Sequence, residues 1–220
     1  MTIIQGFYGK FPQQGDFIRH ELPLDWCTEW HQWLQSSLAV SQEQLGAQWE
    51  DLYLTSPLWR FSLQLGSQAC IGVMMPSVDS AGRYFPLALM ATGQFNPWLN
   101  LAQNSWFEQA ESIVLSALNE DASVQMLQHQ TMNLGLPQSH SKHDAELKKG
   151  LQISEQKALS GSQMIKVLGY ANPSMSLWWS AGSDTIESCY LIQKSLPDAA
   201  SFSAFLDGQW AQWNWLNINA

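Results

Sequence analysis

The sequence predicts an α/β fold: a mixed, largely antiparallel central sheet covered by helices on both faces. Three observations predict it. Short apolar runs bounded by Gly, Pro and Asn recur along the chain, as strands do. Helix-period stripes interrupt them, most clearly over 24–45 and again from Trp106 onward. The resulting order is strand, helix, strands, helices, strands, helix, which suits a sheet with helices on each side. With 220 residues, 45% hydrophobic and only 13% charged, one substantial core is within reach, so residues 1–220 are read as a single domain. A subdivision into 1–133 and 160–220, joined by a polar stretch at 134–159, stays open at this level.

Taken in order, 3–8 has strand character, and Pro12 and Gly15 make 10–16 a loop before Phe17 and Ile18 resume the apolar pattern. Trp26, Trp30, Trp33, Leu34, Ser37, Leu38, Ser41 and Leu45 lie on one helical face, with Asp25 near the start and Gly46 as the stop. A short second helix over 47–54 ends at Ser56-Pro57. Residues 58–65 alternate as a half-buried strand, with Trp59, Phe61, Leu63 and Leu65 on the apolar side. Gly66-Ser67 then turns the chain into a partner strand at 70–75, an antiparallel hairpin. Another strand is expected at 84–91. Asn96-Pro97 opens a helical region in which Ser105 and Glu108 have capping-box spacing, and Asp121 is the expected cap of a further helix through Met132. Beyond the polar stretch, strands are expected at 163–168, 175–179 and 185–193, with Asn172-Pro173 between the first two. A short helix from Pro197-Asp198 to Leu206 closes at Gly208, and the tail (Trp210, Trp213, Trp215) is expected to dock.

A net charge of −9 speaks against nucleic acid as a partner, because a duplex binder needs a basic patch. Cys27, Cys70 and Cys189 are odd in number and widely spaced, which fits a reducing compartment and neither a disulfide framework nor a cysteine zinc site. No signal-peptide pattern and no apolar run of about 18 residues is present, so a soluble cytoplasmic protein without membrane insertion is expected. Phosphate-loop, dinucleotide and nucleophile-elbow motifs are missing, and no cofactor is expected. His140, His143 and Asp144 have metal-ligand spacing, but in so polar a stretch they read as solvated loop residues.

The chain is organised around residues 74–87. A proline, a glycine, Asp79 and Arg83 stand there between two apolar runs, in a loop at strand ends. Asp79 and Arg83 can pair with each other, with backbone or with a partner. Asp16, Arg19, Arg60, Asp79 and Arg83 are the charges set in apolar surroundings, read as ion pairs and loop clamps in preference to acid/base groups.

Four stretches carry a family resemblance. They are Gly6-Phe7-Tyr8-Gly9-Lys10-Phe11-Pro12 with Gly15-Asp16-Phe17, then Trp33-Leu34, then Ser56-Pro57-Leu58-Trp59-Arg60-Phe61. The fourth is Met75-Pro76-Ser77-Val78-Asp79 with Gly82-Arg83-Tyr84-Phe85-Pro86-Leu87. Together with Ser176-Leu177-Trp178-Trp179 and Leu206-Asp207-Gly208, this set resembles the TagF (ImpM) family of bacterial type VI secretion-associated proteins. The resemblance implies an α-β-α sandwich with some likeness to longin-type domains. It implies a cytoplasmic, non-enzymatic, post-translational repressor whose partner is a forkhead-associated scaffold protein, with no catalytic residues to carry over. Gly15, Pro76 and Gly82 are expected to shape loops, and Trp59, Tyr84 and Phe85 to pack. Asp16, Arg60, Asp79 and Arg83 become contact candidates only where they are exposed. The rivals are a structural subunit of the secretion baseplate and a hydrolase built on Asp16, Arg60, Asp79 and Arg83.

Overall fold

A strand that is apolar on both of its alternating faces has to be covered twice. The two central strands are of this kind: β4 (Gln68–Met75) and β5 (Leu87–Gly93) are buried along nearly their whole length. The computed structural model describes residues 3–95, 104–137 and 175–216. The expected Asn96-Pro97 helix opening, the strand at 163–168, Asn172-Pro173 and the His140, His143, Asp144 group lie outside the described residues.

The other strands are β1 (Ile4–Lys10), β2 (Phe17–His20), β3 (Trp59–Leu65), β6 (Met175–Ser180) and β7 (Cys189–Lys194). Together they form one seven-stranded sheet in the order β2-β1-β5-β4-β3-β6-β7. Every pairing among the described strands is antiparallel, so the expectation of a mixed sheet resolves to an antiparallel one. β3 and β4 form the anticipated hairpin, with Leu65 opposite Gln68 and Gly66 at φ 56° in the turn.

Helix α1 (Leu24–Leu45) has the expected bounds and ends at Gly46, φ 54°. Its stripe lays Trp26, Trp30 and Leu34 over Trp59, Phe61, Leu63 and Trp178, and the Trp30 ring lies 5.0 Å from Phe61. A 3₁₀ turn (Gly46–Gln48) leads into α2 (Trp49–Thr55) on the same face. The opposite face is covered by α3 (Asn104–Ser116) and α4 (Val124–Asn133), which bury Trp106, Phe107, Val114 and Leu127 against Phe7, Ile71, Val73 and Leu89. The alternation expected of β3 holds in part: Trp59, Phe61, Leu63 and Leu65 are buried, Arg60 and Gln64 on the second face are partly exposed, and Ser62 between them is fully buried.

Several boundaries differ for local reasons. Lys10 belongs to β1 and not to the following loop, since it still pairs with Phe17 of β2. β5 starts at Leu87 and not at Tyr84, because Val78 and Tyr84 form an isolated bridge that closes the preceding loop. Ser105 lies inside α3 and is no N-cap. The cap of α4 is Ser123, whose hydroxyl accepts from the Met126 amide at 3.2 Å, and not Asp121. β7 begins at Cys189, because the Ser183 hydroxyl holds 183–186 in a turn by accepting from the Thr185 and Ile186 amides. The expected helix to Leu206 is two pieces, a 3₁₀ turn (Ala199–Ser201) and α5 (Ala204–Asp207), closed at Gly208 with φ 69°. The tail docks: Trp210 and Trp215 pack on Phe205, and the Trp215 indole donates to the Ser201 carbonyl at 3.0 Å.

Candidate functional site

Two glycines let β1 reach its place. A Cβ on Gly6 would lie 2.0 Å from the His20 carbonyl oxygen, and one on Gly9 would lie 2.1 Å from that of Pro86. Gly9 also has φ 146°, which a side chain disfavours. This close passage over Pro86 puts Lys10 beside the loop that follows β4.

There the Lys10 ammonium meets the Asp79 carboxylate at 2.6 Å, with side-chain exposures of 4% and 0%. The ammonium also donates to the Gly15 carbonyl at 3.2 Å and sits 4.3 Å from the centre of the Phe17 ring. Asp79 accepts three further bonds at 2.9 Å, from Arg83 Nε and from the amides of Ala81 and Arg83. Its own amide donates to the Arg83 carbonyl, and the Gly82 amide returns to the Asp79 carbonyl. Gly82 sits in this turn at φ 76°. Burial pushes the Asp79 carboxyl up, but Lys10 and the donors from Arg83 and Ala81 outweigh it and hold the group well below the usual carboxylate range. Asp79 is thus a fixed anion that knits a loop, the pairing with Arg83 and backbone that the sequence left open.

The loop is pinned from below by Ser77 of the motif together with Tyr53, which the sequence did not mark. The Tyr53 hydroxyl donates to the Ser77 carbonyl and accepts from its amide, both at 3.0 Å, and the Ser77 hydroxyl donates to the Lys10 carbonyl. Burial pushes the Tyr53 phenol far up, which keeps it a neutral donor. Pro76 lines a small crevice with Tyr53 and Pro86. Beside the clamp, Tyr8, Phe17, His31 and Phe85 pack ring against ring, and the Tyr8 hydroxyl shares a 2.8 Å hydrogen bond with His31 Nδ1. Burial, then the Lys10 charge, lowers the His31 pKa and keeps the ring neutral at pH 7. Tyr84 packs on Trp49 and Tyr53 as expected, and its hydroxyl donates to Glu50. Phe85 and Trp59 are buried; Pro12 is half-buried at the start of the loop after β1.

The four charges of the hydrolase alternative are not brought together. Arg60 serves the other face of the sheet, where it grips Glu111 of α3 through two bonds of 2.6 and 2.8 Å beside the Phe107 ring. Asp79 is locked. Asp16 is exposed and forms no ion pair among the described residues, and Arg19 donates to the Leu22 carbonyl. Of the contact candidates, Asp16 and Arg83 therefore face solvent, Asp79 does not, and Arg60 is engaged with Glu111. A double-mutant cycle on Arg60→Met and Glu111→Gln is expected to return a coupling of about 1 kcal/mol in urea unfolding. Additive single effects would show that the pair carries no energy of its own.

A groove of about 490 Å³ runs between α3 and α4, lined by Glu108, Ser112, His129 and Asn133, and none of the motif residues lines it. No group of metal-ligand residues occurs among the described residues. No described helix is long and apolar enough to cross a membrane.

Comparison with known proteins agrees with this architecture. Residues 6–134 match the family described as TagF N-terminal domain, type VI secretion system-associated. The protein of a crystal structure, PA0076 from Pseudomonas aeruginosa PAO1, is 36% identical, with a TM-score of 0.78 over 94% of this chain and 95% of that one. No curated protein sequence matches. The family match spans more than half of the chain and contains the whole Lys10–Asp79–Arg83 clamp, so the protein belongs to the type VI secretion-associated TagF family.

Proposed function

We propose that this protein is a non-enzymatic, cytoplasmic, post-translational repressor of type VI secretion that binds and sequesters a forkhead-associated scaffold protein. The observation that carries this reading, beside family membership, is what the motif charges do. Asp79 and Lys10 are consumed in holding a loop rigid, and the loop presents Ser80, Ala81, Gly82 and Arg83 outward. A stiff, exposed loop suits recognition, because little conformational freedom is left to lose on binding.

Sequestration acts by mass action, so repression scales with free repressor and its affinity for the scaffold. Raising scaffold expression is expected to restore secretion in cells that overproduce this protein. Secretion that stays silent at high scaffold levels would sink the mechanism. A pull-down from the source organism discriminates further: recovery of baseplate components in place of the scaffold would favour the structural-subunit alternative.

A further inference from the structure

The clamp uses only one side of the Arg83 guanidinium. Nε is bound to Asp79, while the side chain is 58% exposed and its two terminal nitrogens have no partner among the described residues. Asp16, one residue beyond Gly15, forms no ion pair with it. Lys10, Asp79 and Arg83 sum to one uncompensated positive charge, set on a chain whose net charge is −9. The exposed Ser80 hydroxyl also has no partner among the described residues, and its amide is fixed on the Gln14 carbonyl at 3.2 Å. Both donors lie close to Gly15: the point where its Cβ would stand is 3.6 Å from Ser80 Oγ and 3.9 Å from Arg83 Nη2.

We infer that the free edge of Arg83, with the Ser80 hydroxyl above Gly15, is an oxyanion-binding contact through which the protein grips a phosphate or carboxylate side chain of its protein partner. A guanidinium with two free terminal nitrogens matches the two oxygens of either group, and Asp79 holds the fork in place before binding. An anionic membrane surface is disfavoured as occupant, because the net negative charge of the chain repels it. The inference deepens the scaffold-binding proposal and rests on it for the identity of the partner.

Gly15 supplies a test that leaves the charges in place. It does not have positive φ, and an added methyl would make only ordinary contacts, so Gly15→Ala is expected to fold and to place a methyl against both donors. The full chain is titrated with inorganic phosphate and separately with acetate, at constant ionic strength, while amide and arginine Nε resonances are followed by NMR. Saturable shifts confined to Gly15, Ser80 and Arg83 are expected, stronger with phosphate if phosphate is the natural group. Arg83→Gln is expected to weaken them about tenfold or more, the loss of one charge-assisted hydrogen bond, and Gly15→Ala to weaken them by the steric bulk of its methyl. Shifts spread over the surface, or unchanged in both variants, overturn the contact. The same variants are then measured for binding to purified scaffold. If the wild type binds it and both variants bind equally well, the inference falls and sequestration stands. If the wild type does not bind it, sequestration falls while the titration still decides the anion contact. Binding to anionic vesicles that both variants abolish, with scaffold binding intact, would overturn the assignment to a protein partner.

Discussion

Asp79→Asn is expected to lower the thermal midpoint by on the order of 10 °C, because breaking a buried pair strands its partner charge. The asparagine retains Oδ1 for the Ala81 and Arg83 amides, but its NH2 replaces the Oδ2 that accepts from both Lys10 and Arg83 Nε. The larger loss falls on Lys10, whose ammonium is left without its counter-charge at 4% exposure, whereas the Arg83 side chain is 58% exposed. Adding Lys10→Met removes the stranded charge, and the double variant is expected to recover most of the lost stability. No recovery would show that the backbone bonds of the loop, and not the ion pair, carry the effect. The pH dependence has a definite sign. The carboxyl pKa is depressed in the folded state, so its stabilising effect is fully present above the ordinary carboxylate value of about 4 and is lost as pH falls below it. Between neutral pH and pH 5 the wild type should hold a constant advantage over Asp79→Asn; below pH 4 the two midpoints should converge. Parallel curves down to pH 2 would contradict the assignment.

Gly9→Ala is expected to cost at least about 4 kcal/mol and to leave little soluble protein, because the clash is with backbone in the body of the sheet. The methyl would meet the Pro86 carbonyl oxygen at 2.1 Å and the Leu87 Cα at 2.7 Å, at a φ of 146°. Relief requires moving β1 off β5, which also separates Lys10 from Asp79. Gly15→Ala serves as the control, since its methyl touches nothing closer than 3.6 Å. An unfolding free energy for Gly9→Ala within about 1 kcal/mol of the control would refute the close-passage explanation.

These two residues also mark the border of what was legible. α1 was readable to its bounds because its pattern is local: a 3.6-residue stripe and a terminal glycine leave little choice. The strand expected at 84–91 starts too early because Tyr84 and Phe85 are as apolar as the residues that follow Pro86. Only the Val78–Tyr84 bridge and the turn around Asp79 show that the chain is still in a loop. Asp79 and Arg83 were found through spacing within one loop. Lys10 stands in the Gly6–Pro12 motif, but its pairing with Asp79 is not legible there, because it joins them across 69 positions and one strand pairing. Its signal was a lysine flanked by Gly9 and Phe11 at the end of an apolar strand, an awkward place for a solvated ammonium. Glu111 and Tyr53 were missed for the same reason: each lies on a helix whose packing partner the sequence does not specify.

The strand order also dictates a timetable. β3, β4 and β5 are neighbours both along the chain and in the sheet, so this central ribbon can assemble from short loops. β1 reaches β5, and β6 reaches β3, only by closing long ones, which is slow because the entropy is spent before the contacts form. The bridge between Lys10 and Asp79 requires β1 to be seated, so it belongs to the late side of the folding barrier. Its loss in Asp79→Asn should therefore appear as faster unfolding with nearly unchanged refolding. The clamp is a latch on a finished structure: it governs how long the native loop persists far more than how quickly it is reached.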